Sequence, residues 1–222
     1  MIKVKICGVT SYDDAYQAAQ AGADLLGFNF FKRSPRYIEP NSAQAICDRL
    51  RKELGAQCPA LVGVFVNDVV GHISIVMDKV GLNFVQLSGE ESDEMIRELK
   101  GIGYKSIQPM NKEQALDDVN YYRPILPTNE RIPSLLLDAY HPSLRGGTGE
   151  QVSQEIALAV NEQVPRLMLA GGLTPENVAE KIHAIQPWGV DVASGVEIPD
   201  LPGKKDHVKV TAFIEAVLGA IY

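Results

Sequence analysis

The sequence predicts an α/β protein whose eight parallel strands close into a barrel. Short apolar runs recur eight times, each followed by turn residues and then by a stretch with helical spacing. Several runs are apolar on both faces, as strands are when helices cover the sheet on each side. Eight repeats of roughly 25–30 residues account for the whole chain and leave no linker, low-complexity tract or second unit. An open doubly wound sheet is the other arrangement of alternating strands and helices. The repeat number favours the (β/α)8, or TIM, barrel, with residues 1–222 as a single domain.

The predicted strands, in order, are IKVKI (2–6), DLLGFNF (24–30), ALVGVFV (60–66), NFVQL (83–87), YKSIQ (104–108), SLLLD (134–138), RLMLA (166–170) and GVDVA (189–193). Between them the period changes. Val69, Ile73, Val76 and Val80 form one helical stripe, and Met95, Ile96 and Leu99 a second. Thr174 suits an N-cap and Pro175 the first helical position after it. A closing helix is expected to bury Val210, Phe213, Ile214 and Val217.

Composition excludes several classes of function. A formal charge of −7 argues against nucleic-acid binding, which needs clustered Lys and Arg. The three cysteines, Cys7, Cys47 and Cys58, are too few for a disulfide framework and fit a reducing cytoplasm. No apolar run approaches the length of a membrane span, and the four histidines lack the spacing of a metal motif. No metal site is expected.

In such barrels the loops after the strands build the active face, so strand ends indicate the chemistry. Here they carry Cys7, Asn29, Asn67, Ser88, Gln108, Asp138, Gly171–Gly172 and Ser194–Gly195. Cys7 is either a small buried hydrophobe or a thiol activated by backbone N–H groups near a helix start at Ser11. Asp138 follows three leucines and reads as a loop cap, a surface ion pair or a functional acid. In a closed barrel, strands one and six stand three steps apart, roughly 13–14 Å, which leaves about one sugar ring between two inward side chains. An acid and a base on opposite sides of one small substrate need that spacing.

Two glycine-bearing loops, Gly171–Gly172 and Ser194–Gly195, follow strands seven and eight, where barrels hold phosphate on backbone N–H groups. A third glycine-rich rim is Arg145–Gly149. Arg36, in the long loop after strand two, is either a solvated charge or a planar fork for a carboxylate.

With these residues collected, the chain resembles the phosphoribosylanthranilate isomerase family. The likeness runs through KICGVT (5–10), GFNFFKRSPRYI (27–38), VGVFVN (62–67), VQLSGEE (85–91), LLLDAYHPSLRGGTGE (135–150), LAGGLTPENV (169–178), GVDVASGVE (189–197) and PGKKD (202–206). It implies an Amadori rearrangement of a phosphorylated small molecule, without a cofactor, by a monomer or a homodimer. By resemblance Cys7 is the general base and Asp138 the general acid. Arg36 faces the anthranilate carboxylate, Asp191 supports the aminobenzoate side, and Gly171, Gly172, Ser194 and Gly195 cradle the phosphate. One position departs from the family: Ser88 stands where VQLHG would place an imidazole. That leaves two rivals, an isomerase of another phosphorylated sugar and a non-catalytic phosphate-binding barrel.

Overall fold

The computed structural model describes residues 1–139 and 153–220. Each apolar run becomes a strand, with ends within about a residue or two of those expected: β1 (Lys3–Cys7), β2 (Leu25–Asn29), β3 (Ala60–Phe65), β4 (Phe84–Leu87), β5 (Gly103–Ile107), β6 (Leu135–Leu137), β7 (Leu167–Leu169) and β8 (Gly189–Val192). All eight pair in parallel in chain order, and β1 pairs with β8 to close the barrel.

The helices α1 (Tyr12–Ala21), α2 (Pro40–Leu54), α3 (Val70–Val80), α4 (Asp93–Glu98), α5 (Lys112–Tyr122), α6 (Gln154–Asn161), α7 (Val178–Ile185) and α8 (His207–Gly219) alternate with the strands. Their starts follow local chemistry. Ser11, Asn111 and Asp206 each accept a hydrogen bond from an amide in the first turn of α1, α5 and α8. Among the described residues no helix is long and apolar enough to cross a membrane.

Side chains alternate across each strand and so form two apolar layers. Ile6, Leu26, Leu61, Val85, Leu135 and Leu137 face outward against the helices, which contribute Ile73, Val76, Val80, Ile96, Phe213 and Val217. Leu25, Val62, Phe84, Leu136 and Met168 fill the barrel floor, together with the ring of Tyr104. Charged and amide side chains replace hydrocarbon above that floor: Lys5, Gln86 and Asp191 are all buried. The barrel is thus apolar below and polar above, and its upper end is the one suited to chemistry.

Two local expectations are corrected. Val69 is 68% exposed and precedes α3, so the buried stripe begins at Ile73. Helix α7 begins at Val178, not after Thr174; the Thr174 carbonyl instead accepts from the amides of Asn177 and Val178, while Asn177 Oδ1 accepts from the Thr174 amide. The segment 174–177 therefore forms a turn ahead of the regular helix. The glycine-rich stretch Arg145–Gly149 lies outside the described residues.

A buried ion pair outside the barrel wall fixes two of the upper loops. Glu91 accepts from the amides of Asn67 and Gly89 at 2.8 and 2.9 Å and pairs with Lys105 Nζ at 3.0 Å. Lys105 also donates to the Gly89 carbonyl at 2.7 Å. The pair ties the ends of β3 and β4 to β5, so it holds the Ser88 loop in place. Lys105→Met leaves Glu91 facing a buried environment without its cation, and a loss of about 3–5 kcal/mol in unfolding free energy is expected. Urea melts of the variant and its parent provide the check.

Candidate active site

The upper end of the barrel opens into a cavity of about 750 Å3. All nine residues expected at the site line it: Cys7, Arg36, Ser88, Asp138, Gly171, Gly172, Asp191, Ser194 and Gly195. They come from six of the eight strands and the loops that follow them, spread over nearly two hundred positions of sequence, and closure of the sheet brings them together. Asn29 and Gln108, also noted as strand ends, share the wall.

Asp138 follows β6 directly. Gln108 Nε2 donates to its Oδ2 at 3.0 Å and the Ala139 amide donates to Oδ1 at 2.9 Å. Burial pushes its carboxyl up to about 6, and the nearby Asp191 adds to the rise, while Gln108, the Ala139 amide and Lys5 oppose it. A carboxyl raised to about 6 retains a protonated fraction near neutral pH, from which it can act as an acid.

Cys7 ends β1 and is buried. The backbone amides that follow it directly are already engaged. Both Gly8 and Val9 donate their N–H groups to the Gly27 carbonyl, at 2.9 and 3.0 Å. Burial pushes the thiol above its ordinary range, Lys5 opposes that rise, and Asp191 reinforces it. The cation facing the sulfur is therefore Lys5, which sequence reading passed over. Its signal was the period of two: a lysine two residues before Cys7 on one strand shares its face.

Arg36 is buried, and its fork is already partly engaged. Nε and Nη2 donate to the two carboxylate oxygens of Glu197 at 2.8 and 2.7 Å. Glu197 also accepts from Lys205 Nζ and from the Gly203 amide, each at 3.0 Å. Its carboxyl is held below the ordinary range: burial pushes upward, and Arg36 and Lys205 prevail. The reading of Arg36 as a solvated charge is thus corrected, and one edge of its fork is committed to Glu197. Glu197 and Lys205 are further site supports that sequence reading missed, since their partners lie far away along the chain.

Asp191, on β8, is 8% exposed and accepts from Lys5 Nζ at 3.0 Å. Ser88 Oγ accepts from Gln86 Nε2 at 3.1 Å, and Gln86 Oε1 in turn accepts from the Tyr104 hydroxyl at 3.0 Å.

At the opposite rim, Gly171 and Gly172 both have positive φ, 85° and 62°, which glycine adopts without the steric penalty a Cβ brings. Among the described residues neither of their N–H groups donates to the protein. The loop at Ser194–Gly195 packs directly on this turn, since a Cβ on Gly195 would collide with the Leu173 carbonyl. Two glycine-bearing backbone segments thus meet at one corner of the cavity, an arrangement suited to an anion.

A closed parallel barrel with ionisable groups gathered at the upper ends of its strands defines a (β/α)8-barrel enzyme. Residues 4–216 match the family model of N-(5'phosphoribosyl)anthranilate (PRA) isomerase. The N-(5'-phosphoribosyl)anthranilate isomerase of Trichlorobacter lovleyi is 43% identical over 214 residues, covering 96% of this chain and 97% of that one. Among solved structures, phosphoribosyl anthranilate isomerase from Thermotoga maritima superposes with a TM-score of 0.85 at 36% identity, over 99% of this chain and 100% of that one. A phosphoribosyl anthranilate isomerase in complex with reduced 1-(o-carboxyphenylamino)-1-deoxyribulose 5-phosphate gives 0.81 at 35% identity, over 99% and 100%. The chain belongs to the N-(5'-phosphoribosyl)anthranilate isomerase family.

Proposed function

We propose that this protein catalyses the Amadori rearrangement of N-(5'-phosphoribosyl)anthranilate to 1-(2-carboxyphenylamino)-1-deoxyribulose 5-phosphate, a step of tryptophan biosynthesis, with Asp138 as general acid and Cys7 as general base. The observation that carries the assignment is one cavity lined by both groups, with the Asp138 carboxyl held near 6. Asp138 gives its proton to the ring oxygen of the ribose, the C1–O bond breaks, and an iminium forms at C1. The Cys7 thiolate then takes the proton from C2. The resulting enolamine tautomerises: C1 gains a proton, the C2 hydroxyl gives one up, and a ketone is left at C2.

The other residues bind. The amides of Gly171 and Gly172, with Ser194 and Gly195 beside them, take the phosphate. The edge of Arg36 not engaged by Glu197 meets the anthranilate carboxylate. Asp191 supports the aminobenzoate side and Ser88 lends one hydroxyl. The protein acts in the cytoplasm as a single domain, either as a monomer or as a homodimer, and needs no cofactor.

Substrate and product differ in fluorescence, so emission followed after mixing the purified protein with freshly generated phosphoribosylanthranilate tests the reading. Turnover is expected, and its absence would contradict the assignment. Ser88→His adds a ring and a possible charge at the mouth of the site. It is expected to change KM by up to about fivefold and to leave kcat within about twofold, the scale of one hydrogen bond. Steady-state kinetics of the variant measure this, and unchanged constants would make Ser88 a bystander.

A further inference from the structure

Lys5 has no part in the roles above, yet it is 0% exposed. It stands two residues before Cys7 on β1, so both side chains enter the barrel. Its register partner on β8 is Asp191, whose Oδ1 accepts from Lys5 Nζ at 3.0 Å. Cys7 is in register with Gly27 on β2. A Cβ at Gly27 would come within 2.8 Å of Cys7 Sγ and 3.1 Å of Lys5 Nζ. Sulfur and ammonium therefore both border the space that glycine leaves free.

Cys7 and Asp191 line the cavity, whereas Lys5 lies behind its wall. An ammonium has three donors, and one carboxylate oxygen takes only one of them here. A buried cation needs further compensation, and the sulfur is placed to give it.

We propose that Lys5 is a positioning residue of the rearrangement: anchored on Asp191 behind the cavity wall, its ammonium stands beside the Cys7 sulfur, lowers the cost of ionising the buried thiol and aims the thiolate at the substrate. The inference rests on the reading of Cys7 as general base. Lys5 keeps its three protons throughout, and the proton leaving C2 ends on Sγ.

The other charged and titratable groups around the sulfur do not replace this function. Asp191, from β8, disfavours the thiolate when it acts on the sulfur directly, and favours it by holding Lys5. Lys205 also favours the thiolate, but less than Lys5 does, and its Nζ donates to the Ala193 carbonyl and to Glu197, each at 3.0 Å. Tyr104, from β5, is buried, and burial pushes its phenol well above the ordinary range, so it stays neutral. Arg36 is engaged with Glu197, and Asp138 follows β6, three strands around the closed sheet.

The test reads the thiol apart from turnover. In a Cys47→Ser/Cys58→Ser background, the rate of Cys7 alkylation by iodoacetamide is measured against pH. Lys5→Met is expected to be alkylated at least about tenfold more slowly at pH 7.5, the factor that one unit of thiol pKa carries. The deficit closes as pH rises. The kcat for phosphoribosylanthranilate falls by a similar factor while KM changes little, and Lys5→Arg, which keeps the charge, recovers part of both rates. Circular dichroism monitors folding, and Lys5→Gln is read in the same way if the methionine variant does not fold. An alkylation profile that matches the parent in the neutral variants overturns the inference. Failure of the base assignment looks different: Cys7→Ser would then turn over normally, whatever the state of Lys5.

Discussion

Cys7→Ser is expected to lower kcat by about 10²–10⁴-fold, the usual contribution of one positioned acid or base. A serine hydroxyl ionises far above any working pH, so the variant offers no anion to remove the C2 proton. The side chain changes by a single atom inside an unchanged strand, and the fold should persist, with urea midpoints close to the parent. Cys47 provides the control. It is fully buried in α2 among apolar neighbours, so Cys47→Ser leaves kcat within about twofold. Fluorescence-monitored turnover of the two variants decides the matter, and near-native rates for Cys7→Ser would refute its role as base.

Asp138→Asn is expected to lose a comparable 10²–10⁴-fold in kcat, because an amide cannot pass a proton to the ring oxygen. It should also change stability in a direction set by proton linkage. Folded Asp138 holds its proton up to about pH 6, whereas an unfolded aspartate releases it near 3.9. The native state therefore binds more protons in between. The stability this group contributes is fully present below about pH 4 and is lost as pH rises through 6. Above that pH the ionised, partly buried carboxylate weakens the fold by about 1–3 kcal/mol, and asparagine removes that penalty. The variant is thus expected to be inactive but more stable than its parent at pH 8, with the difference fading near pH 4. Denaturant melts at the two pH values test the sign. Equal stability at both would mean that the carboxyl is not held near 6.

The expected barrel was legible because its signal is local and repeated. Runs such as ALVGVFV and LLL admit few structures other than strands covered on both faces, and eight of them filled the chain. The polar strand ends were legible for a related reason, since a residue such as Asp138 after three leucines interrupts a pattern. What stayed hidden was pairing across the barrel. Lys5 reads as a solvent-facing lysine in KVK until Cys7 is known to point inward, and only the β1–β8 register brings it to Asp191. Glu197 is 161 positions from Arg36 along the chain, so nothing local announces that it takes one edge of the guanidinium. The start of α7 was misplaced because Thr174 and Pro175 carry the chemistry of a helix start whether a turn or a helix follows.

A crystal structure with reduced 1-(o-carboxyphenylamino)-1-deoxyribulose 5-phosphate bound tests the pairing of acid and base most directly. The account predicts phosphate on the amides of Gly171 and Gly172, Cys7 Sγ about 3–3.5 Å from C2, and the Asp138 carboxyl at the oxygen released from the ring, on the other side of the sugar. A ligand bound with Cys7 and Asp138 on the same side of the sugar, or with either out of reach of its atom, would contradict it.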